Sequence, residues 1–165
     1  MHPRERSRIS ISERNRGNFR NYWGIAEDFE ALLRSAGLCT TPQRMALGWL
    51  LFGIGNQHTT AEILHLEAVQ AGLPVSKATV YNTLKQLTDA GILRRLGFDG
   101  SKSSFDTNTS THHHFFVEVE NVLIDIASND LALGEIPTPP AGYEITRIEV
   151  AIRLKRRLLA THSKL

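Results

Sequence analysis

One stretch constrains this chain more than any other: Val75 to Arg95, VSKATVYNTLKQLTDAGILRR. Ser76 is a good helix N-cap, because its hydroxyl accepts from an orphan amide of the first turn. Gly91 stands where a C′ residue takes positive φ. Between them Val80, Leu84 and Leu87 recur at i, i+4 and i+7, which is one apolar helical stripe. The opposite side carries Ala78, Asn82, Lys85 and Gln86, with Lys77 and Tyr81 at its margin, and no acid until Asp89. Ile92 and Leu93 open a short apolar run that Arg94 and Arg95 follow, which predicts a helix leading into the first strand of a wing. Such a helix fits a major groove, where amide and ammonium groups meet base edges and phosphates. An ordinary amphipathic helix with a solvated polar face has the same pattern.

Upstream, the polar start of the chain, with Arg4, Arg6, Arg8, Arg14 and Arg16, reads as a flexible basic arm over residues 1–21. Ile25, Phe29, Leu32, Leu33 and Ala36 predict a first helix over about Tyr22–Ala36, stopping at Gly37. Thr41-Pro42 reads as an N-cap with Pro at N1 of a second helix, whose buried face is expected to be Met45, Trp49 and Phe52. Thr59-x-x-Glu62 is a capping box for a third helix, with Ala61, Leu64 and Ala68 inward. Three helices, a turn, a fourth helix and a basic strand predict a winged helix-turn-helix over residues 22–103. Gly97 to Lys102 supplies the wing turn.

Past residue 103 the apolar period changes from 3.6 to 2. Phe115, Val117 and Val119 alternate with Phe116 and Glu118, and Val122 to Ala127 is a second β-like run. A short helix is expected near Asp130 to Gly134, followed by a loop at Pro137, Pro139, Pro140 and Gly142. Ile148, Val150, Ile152 and Leu154 then read as a half-buried strand. The fold class is therefore α+β, with residues 104–165 forming an α/β dimerisation domain of about three strands. So small a sheet is weak alone, and pairing with a second copy buries more, so a homodimer is expected.

Net charge is +2, but residues 1–95 hold 12 Lys/Arg against 8 Asp/Glu, and residues 96–165 hold 7 against 9. A basic front half suits a polyanion. The single cysteine, Cys39, excludes an intrachain disulfide and a Cys-x-x-Cys metal site and fits a reducing compartment. No run is apolar enough to span a bilayer and no secretory segment is recognised, so a cytoplasmic protein without a membrane partner is expected.

His112-His113-His114 is the chain's most unusual feature. On a strand, His112 and His114 point one way and His113 the other. Two imidazoles on one face chelate a metal ion as neutral nitrogen donors. His58 lies before the third helix, and Asp106 and Asp125 flank the triplet, so an N/O site is available. Imidazole also ligates haem iron, so His112, His113 and His114 are haem candidates. A solvated polar strand end is the plain alternative.

With these pieces placed, the chain resembles the ferric uptake regulator family over roughly residues 28–130. The matches are Gly37-Leu38 with Thr41-Pro42-Gln43-Arg44, His58-Thr59-Thr60-Ala61-Glu62-Ile63, and Ser76 with Ala78-Thr79-Val80-Tyr81-x-x-Leu84, Leu87 and Gly91-Ile92. The triplet with Phe115-Phe116 and Leu123-Ile124-Asp125-Ile126 looks most like the iron response regulator branch, which typically lacks the family's cysteine zinc site. The resemblance implies a dimeric regulator of iron and haem metabolism genes that binds double-stranded DNA and haem. It places His58, Asp106, His112, His114 and Asp125 on the family's regulatory metal site, for Zn, Fe or Mn. That match needs a one-residue gap between Asp106 and His112; without it, His113 replaces His112. The family usually has Arg where Asn82 stands, which bears on the operator, and often Arg where Cys39 stands, which bears on a phosphate contact. The expected DNA-contacting set is Arg44, Lys77, Thr79, Tyr81, Asn82 and Lys85, on an inverted-repeat operator.

Two other readings compete. A metal-dependent hydrolase needs three ligands, an open position and a general base, and no His-Glu-x-x-His or comparable signature stands here, so no enzyme is expected. A haem or metal buffer without sequence-specific DNA binding would use the helices only as scaffold.

Overall fold

Helix placement follows the caps. The computed structural model describes residues 19–97, 103–127 and 129–156, which form four helices and six strands. The helices are α1 (Phe19–Ser35), α2 (Pro42–Phe52), α3 (Ala61–Gln70) and α4 (Lys77–Asp89). The strands are β1 (His58–Thr59), β2 (Arg94–Leu96), β3 (Ser104–Asp106), β4 (His113–Val117), β5 (Val122–Ile126) and β6 (Ala151–Leu154). The side chains of Thr41, Thr60 and Ser76 accept from Arg44, Ile63 and Thr79 amides and cap α2, α3 and α4. The capping residue of α3 is thus Thr60, one later than expected, because Thr59 is buried in β1 opposite Phe105.

At the other end of α4, Gly91 takes φ +72°. The Ile92 amide donates to Leu87 O and the Gly91 amide to Thr88 O, which is a Schellman closure. It turns Ile92 and Leu93 back into the core beneath the helix. The same pair of bonds ends α1 (Leu38 to Leu33 O, Gly37 to Arg34 O) and α3 (Leu73 to Ala68 O, Gly72 to Val69 O).

The chain divides into two units, residues 1–109 and 110–165. The core of the first unit gathers Phe29, Leu33, Leu47, Leu50, Leu51, Leu64, Val80, Leu84 and Leu87 with Phe105. On α2 the buried side chains are Leu47, Leu50 and Leu51, whereas Met45, Trp49 and Phe52 only border the core. That corrects the expected face. The helix is apolar almost all round, so its period did not choose a side; Phe29 crossing at Gly48 does. The first unit's sheet has the order β1-β3-β2, both pairs antiparallel. Residues 104–106 therefore belong with the helices and not with the C-terminal part, because their partners are β1 and β2. α1 begins at Phe19, three residues inside the expected arm. Residues 1–18 of that arm and 98–102 of the wing turn lie outside the described residues.

The second unit's sheet has the order β5-β4-β6. β4 and β5 pair antiparallel through a turn in which Asn121 takes φ 52°. β6 pairs parallel with β4, aligning Phe115 with Ile152 and Val117 with Leu154. Because β5 already carries the chain back to the end of the sheet where β6 starts, the connection from β5 to β6 has only to cross the end of β4. Here the crossover is irregular: Asp130 and Tyr143 close turns onto Ala127 and Pro140, and its described residues contain no helix at Asp130–Gly134. β6 starts at Ala151, so Ile148 and Val150 precede it. Directly opposed residues share a face. One face of this sheet presents Phe115, Val117, Val122, Ile124, Ile152 and Leu154, with Val122 46% and Ile124 48% exposed. Among the described residues no helix is long and apolar enough to cross a membrane.

Candidate metal ligands and nucleic-acid face

In the first unit α4 turns Val80, Thr83, Leu84 and Leu87 inward. That leaves Lys77, Ala78, Tyr81, Asn82, Lys85 and Gln86 outward. Lys77, Tyr81 and Asn82 form its N-terminal outer surface. Lys85 pairs with Asp89 at 2.5 Å, an i,i+4 bridge. Thr79 is half-buried, and its hydroxyl lies 3.0 Å from that of the capping Ser76. Arg44 does not project outward: its guanidinium donates to the Cys39 carbonyl and to Gln86 Oε1 on α4. Arg95 Nε donates to Ser103 Oγ at 2.7 Å across the base of the wing. Cys39 itself is exposed and forms no disulfide.

The same unit brings together one histidine and one carboxylate. His58 in β1 stands directly opposite Asp106 in β3. The gap from Nε2 to Oδ2 is 3.6 Å, with Asp106 fully buried. Asp106 Oδ1 accepts from the Asn108 amide at 2.8 Å, which fixes the carboxylate rotamer. Gln57 holds β1 in place. Its Nε2 donates to Leu50 O and Leu51 O at 2.7 Å each, and its backbone exchanges bonds with Thr107. Sequence reasoning missed this clamp. Gln57 falls between elements, where neither periodicity nor capping marks a residue.

In the second unit His112, His114 and Asp125 each offer a ligand atom within 4.8 Å of the others. Asp125 Oδ1 is 3.5 Å from His112 Nε2 and 3.7 Å from His114 Nε2. The two imidazoles meet edge to face at 4.5 Å. His114 is opposite Asp125 in the β4–β5 register, and His112 reaches the same place from just before the strand. The ring of His112 is oriented by Nδ1 lying 2.9 Å from Ser110 O. His113 leaves on the other face, where its Nδ1 accepts from the Val150 amide at 3.3 Å. Accepting there puts the neutral ring's proton on Nε2, so neither His113 nitrogen offers a lone pair to an ion.

Two buried imidazoles and an exposed carboxylate are a borderline N/O donor set of the kind that suits Zn, Fe or Mn. The chemistry of the residues present thus fits a first-row divalent ion.

The sequence model of the ferric uptake regulator family matches residues 35–152. Over 130 residues the chain is 36% identical to ferric uptake regulation protein 1 of Mycolicibacterium fortuitum, covering 74% of this chain and 76% of that protein. It is 37% identical over 100 residues to the peroxide-responsive repressor of Staphylococcus aureus, covering 60% of this chain and 66% of that relative. The solved ferric uptake regulator of Vibrio cholerae superposes with a TM-score of 0.62 at 25% identity, covering 78% of this chain and all of that one. A capped, outward-facing helix beside a small antiparallel sheet, a buried histidine–carboxylate set, and these matches lead to one conclusion: the chain belongs to the ferric uptake regulator family, a family of metal-responsive transcription regulators.

Proposed function

We propose that this protein is a homodimeric, cytoplasmic regulator of iron and haem homeostasis genes that reads an inverted-repeat operator. The observation that carries the reading is the outward Lys77–Tyr81–Asn82 surface on a capped helix, in a chain that also gathers the buried His112 and His114 with the exposed Asp125 around one point. On this reading Lys77 and Tyr81 meet the phosphate backbone and groove wall, and Asn82 meets a base edge. His58, Asp106, His112, His114 and Asp125 are the ligands of a divalent ion. A bound ion supplies positive charge against the two carboxylates. The half-exposed apolar face of the β5-β4-β6 sheet supports a second copy as its cover, and two-fold symmetry then dictates an inverted repeat.

The histidine triplet supports the iron response regulator branch and a haem response. Were haem held by His112 or His114, it would compete with the smaller ion for the same nitrogen, so haem is expected to lower DNA affinity and a divalent ion to support it. The test is selection from random duplexes with Mn²⁺, with Zn²⁺, with haem and with chelator. A palindromic consensus that appears with the ion and fades with haem is the expected result. Ion or haem binding with no selected sequence would make the protein a buffer or carrier instead. Replacing His112, His113 and His114 by Ala is expected to change the haem Soret band and blunt the haem effect on DNA.

A further inference from the structure

We infer that Arg44 is a positioning residue for α4, acting through Gln86 rather than on DNA. The inference rests on the reading of α4 as the DNA-contacting helix. Arg44 is the third residue of α2, and its amide is held by the Thr41 hydroxyl that caps that helix. Its guanidinium forks. Nη1 donates to the Cys39 carbonyl, in the connection between α1 and α2, and Nη2 donates to Gln86 Oε1 on α4. Nε is buried. Both outer nitrogens are therefore committed to intramolecular acceptors in different directions, and the bidentate edge that grips a phosphate is not presented.

Gln86 is one turn beyond Asn82 on the outer side of α4. Its amide oxygen is taken by Arg44, and the neighbouring Lys85 is taken by Asp89. The C-terminal half of the exposed face is thus occupied from within the unit. Base reading falls to the N-terminal half, at Lys77, Ala78, Tyr81 and Asn82. The core stripe sets which side of α4 faces inward, but leaf-like apolar contacts tolerate a small rolling of the helix about its axis. A charge-assisted bond from a residue fixed in another helix removes that freedom at the far end of the reading surface. Arg44 then governs where Asn82 points, so it governs discrimination between sequences without touching either one.

The experiment compares the full-length wild type with Arg44→Ala, Gln86→Ala, the double variant and Gln86→Glu. Two quantities are measured: thermal unfolding without DNA, and affinity across a salt series for the duplex the wild type selects and for a scrambled duplex. Each single Ala variant is expected to lower affinity for the selected duplex by about tenfold, within the range of coupled-pair effects. Affinity for the scrambled duplex and the salt slope stay unchanged, and the double variant is no worse than either single one. Gln86→Glu keeps an acceptor for Arg44 and is expected to retain the wild-type ratio of selected to scrambled affinity. If Arg44→Ala weakens both duplexes alike and lowers the salt slope by about one, Arg44 touches phosphate and the inference is overturned. Additive losses, or an unchanged ratio in all variants, overturn it as well. If the wild type selects no duplex, the DNA reading itself fails and takes the inference with it; coupling between Arg44 and Gln86 in the DNA-free unfolding cycle identifies that case separately.

Discussion

A Cβ built on Gly48 of α2 lies 1.9 Å from Cε1 of the Phe29 ring, which is buried and stacks at 5.3 Å on Phe52. Gly48 is therefore the notch that lets α1 approach α2. Gly48→Ala gains roughly 1 kcal/mol of helix propensity but forces the ring aside, and overpacking costs about 1–3 kcal/mol. A lower thermal midpoint is expected; an equal or higher one would mean that Phe29 moves freely. Asn82 is a residue of the opposite kind, exposed and supported only by its position on α4. If Asn82 is a base-reading residue as proposed, its amide can pair bidentately with adenine, and Asn82→Ala is expected to relax preference at one base pair per half-site, by about 1–3 kcal/mol, with stability unchanged. A selection that returns the wild-type consensus from this variant would remove Asn82 from the reading surface.

Among the strands, β5 exposes its apolar side chains most, at Val122 and Ile124. Ile124 is opposite Phe115 and belongs to the apolar face shared with Val122, Ile152 and Leu154. Ile124→Lys puts a charge on that face without disturbing the other one, where Leu123 is buried opposite Phe116. Light scattering is expected to show a folded monomer in place of a dimer; a dimer of unchanged mass would place the interface elsewhere. What was legible in the sequence divides along the same line as these elements. Ser76, Gly91 and the Val80–Leu84–Leu87 stripe specify α4 through bonds within a few residues, so helix, caps and outward face could all be read. β3 is three residues long and is defined by strands far from it in sequence, so it was assigned to the wrong part of the chain. The Asp130–Gly134 helix was expected on a weak pattern that turn formation at Ala127–Asp130 overrides. His112, His114 and Asp125 could be nominated from residue chemistry and strand alternation. The roles of Gln57 and Gln86 could not, because a lone glutamine carries no positional signal and both make their bonds across long sequence separations.

At the scale of the whole molecule, the proposed function links ligand and operator. If the ion favours the DNA-binding arrangement of the dimer, DNA favours the ion by the same factor. Zn²⁺ or Mn²⁺ affinity measured by chelator competition is expected to rise on addition of the selected duplex, by the factor through which that ion raises DNA affinity. A typical coupling of about 1–3 kcal/mol corresponds to about 5–150-fold. Equal ion affinity with and without the duplex would unlink the two halves. The parallel pairing of β6 with β4 has a bearing on synthesis. The core of the first unit and both strand partners of β3 come from residues that are synthesised before β4 begins. β4 must wait for a strand that emerges only after the whole irregular crossover, and such distant pairing is slow. A nascent chain on the ribosome thus has all the residues of α4 and its core before those of its complete apolar sheet.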